Sequence, residues 1–493
     1  MEANRAKTSS KPLAVTPLVD VLVRFSSNVL LLDETSGIVR YRDILELSRS
    51  TAFHGLRRSL VMCGVNNDID GIVGYLALLV ANAVPMMVSP TLSPSALDSL
   101  IAAYQPDYLW LPKDQAGRWP DAQWHASQGG YALIAVKNNT GALPPIHDDL
   151  ALLLTTSGST GSRKYVRLSH QNVWSNAAAI AEYLALSADE LPITTLPPSY
   201  SYGLSVIHSH LWAGAGLAVT NKTFFERDFW NFLRKVKATS LAGVPYHYEI
   251  LKKLRFTGME LPHLHTLTQA GGHMKPALTQ EYAAHCEKKG MRFYTMYGQA
   301  EASPRMSYVP ADKAFEKAGS IGIPIPGGAL ELQSETGEVL TGAHVVGEMV
   351  FRGPNVCLGY AEGRADLSLG DVNHGILHTG DLAERDADGF YRIVGRQKRF
   401  IKLFGNRVNL QDVEQELSGA GAEVACAGRD DLLEVYLSAG CAAQALEIKR
   451  AVMASLRVGA QSVAVYGLDA LPRNESGKLR YADLHPERAQ RLA

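Results

Sequence analysis

The stretch LLLTTSGSTGSRKYVRLSH, Leu152 to His170, decides how this sequence folds and binds. An apolar strand leads directly into Thr155, Thr156, Ser157, Gly158, Ser159, Thr160 and Gly161, then Ser162, Arg163 and Lys164. Small residues let the backbone curl until successive N–H groups and hydroxyls converge on an anion, and Lys164 adds a compensating cation. The spacing is not GxxxxGK[ST], so this is not a Walker loop. A Ser/Gly surface linker has a similar composition, but linkers rarely follow a buried strand directly. The segment reads as a phosphate-binding loop.

Outward from that loop, short apolar runs alternate with longer helical patterns between about residues 60 and 300. LVMCGV, VPMMVS, YLWLP, YALIAV and LAVTN suit buried strands, while Pro94 to Tyr104, Asn172 to Leu186 and Asp228 to Lys237 suit crossover helices. The alternation predicts an α/β fold of parallel sheets covered by helices. From about Gly319 to Arg396 the texture changes to short strands broken by Gly, Pro, Asp and Asn: ALELQ, GEMVF, GYA, GILHTGD and DADGFYRIVG. These predict a mainly antiparallel, β-barrel-like unit. GRQKRFIKLFGNR, Gly395 to Arg407, is too polar for a core strand and suits a boundary. Beyond it, Gln411 to Leu417 starts a helix, LLEVYLS and SVAVYG are strands, and Ala445 to Leu456 is a helix. The expected division is a large N-terminal domain over residues 1–397 and a small C-terminal α/β domain over 398–493.

The 493-residue length suggests ~3 compact units, and 46% hydrophobic with 20% charged residues excludes wholesale disorder. Lys plus Arg (48) nearly cancels Asp plus Glu (49), so no broad attraction to nucleic acid or an anionic membrane is expected. Cys63, Cys286, Cys357, Cys426 and Cys441 lack metal or redox spacing, which fits packing roles in a reducing, cytoplasmic setting. The N-terminal MEANRAKTSSKPLA has cations but no apolar core behind them, so a secretory signal is not expected. Asn82 and Pro85 interrupt the longest apolar run, Gly71 to Val88, which reads as a buried helix running into a buried strand rather than a membrane span.

Four further motifs follow the loop: YGQAE (Tyr297 to Glu301), HTGDL (His378 to Leu382), GRQKRFIKLFGNRV and LPRNESGKLR (Leu471 to Arg480). In this order and spacing the set resembles the adenylate-forming superfamily of acyl- and aryl-CoA ligases, nonribosomal peptide synthetase adenylation domains and firefly-type luciferases. The resemblance runs from about residue 20 to residue 485.

It implies ATP and Mg²⁺ as cofactors and a role for each matched residue. Thr156, Ser157, Gly158, Ser159, Thr160, Gly161 and Lys164 would close over the β- and γ-phosphates. Gly271 and Gly272 of QAGGH would place bare backbone on one face of adenine, with Tyr297 stacked on the other. Gly298, Gln299 and Ala300 complete the nucleotide-side motif. Glu301 would hold Mg²⁺, a hard cation suited to oxygen ligands. Asp381 would accept from the ribose hydroxyls, assisted by Arg396. Lys478 would stabilise the negative charge that grows as a carboxylate attacks the α-phosphate. Lys398 falls at the family's hinge, about which a mobile small domain swings. Two departures stand out: Ala300 replaces the usual Thr, and Tyr165 replaces a common Gly after the loop lysine.

By the same resemblance, the acid pocket draws on Tyr200, Ser201, Tyr202, Gly203 and Val206, with Ala270 and Met296. Amino-acid-activating members carry an aspartate at the place of Ser201. Without it an α-ammonium would be buried unpaired, so an aryl acid or an aliphatic acyl chain is expected. The partner is thus a small-molecule carboxylic acid. The thiol acceptor is expected to be coenzyme A, with the phosphopantetheine of a free-standing carrier protein second and capture by an amine third. A catalytically inactive nucleotide-binding scaffold is the alternative from another class.

Overall fold

The computed structural model describes the chain apart from residues 1–16, 36, 51, 54, 117–122, 137–142, 156–163, 397–399, 404–405, 420–422, 430, 457 and 474–478. Fully apolar runs form its central strands. Leu60–Gly64 and Val84–Val88 are buried at every position and pair in parallel, Leu60 opposite Val84 and Gly64 opposite Val88. An unbroken apolar run is what a strand covered on both faces requires. Between them the Ile69–Val80 helix is buried from Gly71 to Leu79, and the Asp68 side chain caps it by accepting from Gly71 N at 2.8 Å. The run from Gly71 to Val88 is therefore a buried helix and a buried strand. No helix among the described residues is long and apolar enough to cross a membrane.

Two large sheets carry the α/β architecture. The first has eight strands, with Val84–Val88 flanked by Leu60–Gly64 and Leu150–Thr155. In the second, of nine strands, Ser240–Gly243, Thr266–Gln269 and Arg292–Gly298 run parallel in neighbouring positions. A third sheet of five antiparallel strands holds Ala329–Gln333, Val346–Arg352, Ile376–Arg385 and Tyr391–Arg396, as the Gly/Asp-punctuated texture predicts.

Several local expectations are corrected. Tyr131–Ala135 pairs antiparallel with Tyr108–Pro112, and only Leu217–Ala218 of LAVTN is strand. The GYA strand, Gly359–Ala361, joins Tyr165–Ser169 at the edge of the eight-stranded sheet instead of the antiparallel unit. Its composition does not distinguish the two; the long-range pairing does. GRQKRFIKLFGNR is no bare boundary, because Phe400–Leu403 pairs with Asn406–Asn409 and buries Ile401 and Leu403. Alternation explains it, since residues two apart along a strand share one face. These two side chains join Val413, Leu433, Val435 and Val463 in an apolar cluster whose buried members all lie between residues 401 and 465. A four-stranded sheet, containing Val424–Arg429, Leu432–Ser438 and Val463–Leu468, supports that cluster.

Candidate active site

The C-terminal ends of Ser240–Gly243, Thr266–Gln269 and Arg292–Gly298 open on one side of the nine-stranded sheet, where parallel α/β sheets present their loops for ligand binding. After the middle strand the chain turns through Ala270, Gly271 and Gly272. Gly271 has φ +84°, and a Cβ there would lie 2.3 Å from the Tyr200 hydroxyl oxygen, so both conformation and space require glycine. The Gln269 amide donates to the Gly272 carbonyl at 3.0 Å and pins the turn.

Asp381 and Arg396 lie directly opposite each other on adjacent antiparallel strands, and Arg396 Nε meets Asp381 Oδ1 at 2.5 Å. Asp381 is only 1% exposed, so its charge needs partners on every side. Its Oδ2 accepts from the Tyr297 hydroxyl and from Gln299 Nε2 at 3.1 Å. Gln299 also donates to Tyr297 Oη at 3.0 Å and to the Thr379 carbonyl at 3.1 Å. Burial, and then the Asp381 charge, push the Tyr297 phenol well above its ordinary pKa, so it stays a donor. A carboxylate offers about four lone-pair positions. Three are engaged here, which leaves acceptor capacity on Oδ1.

Glu301 stands two residues beyond Gln299, in the short helical turn Ala300–Ala302, and Tyr360 of the edge strand donates its hydroxyl to Glu301 Oε1 at 2.8 Å. Lys164 Nζ sits over the same tyrosine ring, 3.7 Å from its centroid. One ring thus joins the loop lysine to the carboxylate, although 137 residues separate Lys164 from Glu301 (301 − 164). Glu301 fits a magnesium site chemically, because Tyr360 engages one oxygen and leaves the other for a cation that keeps most of its ligands from phosphate and water. Among the described residues no group of three or more potential metal ligands occurs, so such a cation would depend on a bound triphosphate. Thr156 to Gly161 of the loop lie outside the described residues, as do Lys398 and Lys478.

Both departures from the family pattern have packing explanations. Tyr165 is 1% exposed and meets Tyr104 edge-on at 5.4 Å in the core of the eight-stranded sheet. Ala300 is buried in the adjacent apolar cluster, where a threonine would have to satisfy a hydroxyl.

The residues expected to line the acid pocket assemble around the start of the Ser201–Trp212 helix. Tyr202, Val206, Ala270 and Met296 share one buried apolar cluster, with Tyr200 packed at its edge and Ser201 buried beside it. The Tyr202 hydroxyl is fixed by the Thr268 carbonyl and hydroxyl, each 2.9 Å away. Gly203 has no room for a side chain, since a Cβ would fall 2.4 Å from the Pro197 carbonyl oxygen.

The profile of the family described as AMP-binding enzyme matches residues 41–361. This chain belongs to that family. A feruloyl-CoA synthase from Amycolatopsis sp is 30% identical over 296 residues, covering 60% of this chain and 59% of the relative. A long-chain-fatty-acid–CoA ligase from Salmonella typhimurium is 32% identical over 317 residues, covering 62% and 53%. The chain thus spans a little over half the length of these relatives. In three dimensions it resembles an o-succinylbenzoate CoA synthetase of Bacillus subtilis, solved with its acyl-adenylate intermediate, with TM-score 0.75 and 19% identity over 96% of this chain and 99% of the other. That match shows a shared fold across nearly the whole chain.

Two residues of this family member escape a sequence reading. Tyr360 lies in GYA, which carries no chemical signature, and only strand pairing delivers it to Glu301. Arg305 opens the otherwise largely apolar strand Arg305–Val309 and is 2% exposed, its head lodged among Tyr183, Met296 and Ser205. A cation at the start of such a strand was the available signal.

Proposed function

We propose that this AMP-binding enzyme is an ATP-dependent carboxylate ligase working in two half-reactions. The observation that carries the reading is the convergence of Tyr297, Gln299 and Arg396 on buried Asp381. It unites an aromatic face, for adenine, with an anionic acceptor, for ribose hydroxyls, next to the Lys164–Tyr360–Glu301 cluster on the phosphate side.

In the first half-reaction a carboxylate oxygen attacks the α-phosphorus of ATP. The bond from that phosphorus to the bridging oxygen breaks, and pyrophosphate leaves with the electron pair. Gly271, Gly272 and Tyr297 sandwich the adenine, while Asp381 holds the ribose with Arg396 and Gln299 fixing its orientation. Thr156 to Gly161 and Lys164 cradle the outer phosphates. Glu301 would hold Mg²⁺ together with the triphosphate, and the cation would supply charge neutralisation there. Residues 398–493 act as a small domain that swings about Lys398 and delivers Lys478 between carboxylate and phosphate, where its ammonium offsets the growing charge.

In the second half-reaction a thiolate sulfur attacks the acyl carbon, the carbon–oxygen bond to phosphate breaks, and AMP departs. Coenzyme A is the acceptor this reading favours, with the arm of a separate carrier protein as the second choice. Tyr200, Ser201, Tyr202, Gly203, Val206, Ala270 and Met296 hold the acid. The aryl- and fatty-acid ligases among the relatives support a carboxylic acid substrate. The free thiols at all five cysteines support a reducing, cytoplasmic setting.

Acid-dependent exchange of labelled pyrophosphate into ATP tests the proposal, with Lys478→Ala as control. Exchange with at least one acid class, lost in the control, is expected; no exchange with any acid sinks the ligase and leaves an inactive scaffold.

A further inference from the structure

The acid pocket contains a buried cation for which the reaction has no use. Arg305 is 2% exposed, and among the described residues it belongs to no ion pair. Its Nη1 donates to the Tyr183 hydroxyl at 3.1 Å and to the Met296 sulfur at 2.7 Å, its Nη2 to Ser205 Oγ at 3.1 Å, and its guanidinium carbon lies over the Tyr202 ring, 4.4 Å from the centroid. Every one of these partners is neutral. Nε has no hydrogen-bond partner at all, and Nη2 carries a second hydrogen beyond the one given to Ser205. Nε with Nη2 is the edge that a guanidinium offers to a planar oxyanion in a bidentate contact.

The arginine is held rigidly for such a task. Its backbone carbonyl accepts from Asn176 Nδ2 at 2.8 Å and Asn355 Nδ2 at 3.0 Å, which fixes the strand from both sides. Tyr202 and Met296 are pocket residues in their own right, and Ser205 shares a narrow crevice with Ser201 and Ser303. Burying a guanidinium without a counter-charge is unfavourable, and an apolar side chain would fill the space without that penalty.

The direction of the side chain separates this group from the reacting centre. Arg305 lies opposite Gly298 on paired antiparallel strands. Its head reaches Met296, back along the strand, away from the turn that carries Gln299 and Glu301. A group bound there belongs to the far end of the acid, not to the carboxylate that meets ATP.

We infer that Arg305 is a specificity-determining residue that binds a second, distal anionic group, so that the substrate class is an acid bearing another carboxylate or comparable oxyanion. This assignment rests on the ligase reading above. The test is pyrophosphate exchange by the full-length protein with matched acids: adipate against hexanoate, and terephthalate against benzoate. The wild-type protein is expected to favour the diacid of at least one pair by about tenfold or more in kcat/KM, carried mainly by KM. Arg305→Met is expected to lower that ratio by about tenfold or more, with Arg305→Lys in between because it keeps charge but loses the fork. Wild-type preference for the monoacid in both pairs overturns the assignment without any variant. So does an equal loss for both acids of a pair in Arg305→Met, the mark of a merely structural role. Absence of exchange with every acid is a different failure, that of the ligase reading itself.

Discussion

Asp381 and Arg396 face each other across two antiparallel strands with Nε and Oδ1 2.5 Å apart, and the carboxylate is sealed from solvent while the guanidinium is 45% exposed. The asymmetry fixes what each does. The aspartate is the buried anchor, and the arginine covers it. Asp381→Asn keeps the shape but removes the charge that two donors and the arginine share. We expect kcat/KM for ATP to fall about tenfold or more, since hydrogen bonds to a charged group are worth ~1.5–3 kcal/mol each. The melting temperature should also fall, because the Tyr297 hydroxyl and the Gln299 amide lose their charged acceptor. An unchanged KM for ATP in the exchange assay removes Asp381 from nucleotide binding.

Glu301 shares the Tyr360 ring with the loop lysine, and a single protein oxygen holds magnesium only together with phosphate. Chelation with EDTA should therefore abolish exchange without lowering the melting temperature of the nucleotide-free protein. Glu301→Gln should raise the Mg²⁺ concentration for half-maximal rate about tenfold, measured by titration at saturating ATP. Tyr360→Phe, which removes one hydrogen bond and keeps the ring under Lys164, should shift it only a few-fold.

Lys478→Ala is expected to slow acyl-adenylate formation by roughly 10²–10³, the range seen when one charge-stabilising donor is removed from an active site. Thioester formation from synthetic acyl-AMP should persist if, as proposed, the thiolate attacks in a second setting of the small domain. Equal losses in both half-reactions, measured separately by exchange and by thioester mass, would contradict domain alternation.

Gly203 and Gly271 forbid a side chain for different reasons. At Gly203 the obstacle is the Pro197 backbone carbonyl, 2.4 Å from the added carbon, and at Gly271 it is the Tyr200 hydroxyl at 2.3 Å with φ +84°. Gly203→Ala should lower stability by about 1–3 kcal/mol in urea denaturation, because backbone must move. Gly271→Ala displaces a side chain as well as straining the turn, so its signature is a raised KM for acid and ATP together. Denaturation midpoints equal to wild type for Gly203→Ala would show that the helix start has slack.

Burial keeps several histidines neutral: His208, 2.8 Å from the Tyr75 hydroxyl, is lowered to about 3, and His170, His210 and His247 to about 4. Unfolded histidine titrates near ~6.5. Between those values the unfolded chain binds more protons than the folded one, so stability rises with pH there. It is fully present above the unfolded value and is lost as pH falls toward the folded ones, at roughly 1.4 kcal/mol per pH unit for each group. The melting temperature should drop steeply from about pH 7 to about pH 5, and His208→Gln should flatten that slope whatever its effect at neutral pH. A slope identical to wild type would mean that His208 does not contribute.

Much of the fold is legible from short-range pattern. Leu60–Gly64 and Val84–Val88 are apolar throughout because both faces are covered, and Pro94–Tyr104 begins where its Ser93 cap and Pro94 place it. Gly359–Ala361 was misplaced because three residues carry too little pattern to choose a sheet. In GRQKRFIKLFGNR the basic side chains conceal the alternation that buries Ile401 and Leu403.

The order of Thr156 to Lys164, Tyr297 to Glu301, Asp381 and Arg396 along the chain was enough to assign the family, since local backbone chemistry is written in adjacent residues. Tertiary structure alone decided that Tyr360 bridges Lys164 to Glu301 and that Arg305, buried against Tyr202 and Met296, belongs to no ion pair among the described residues. Those relations depend on pairing and burial between different elements of the chain, and an interaction energy set by distance in space has no counterpart in distance along a sequence.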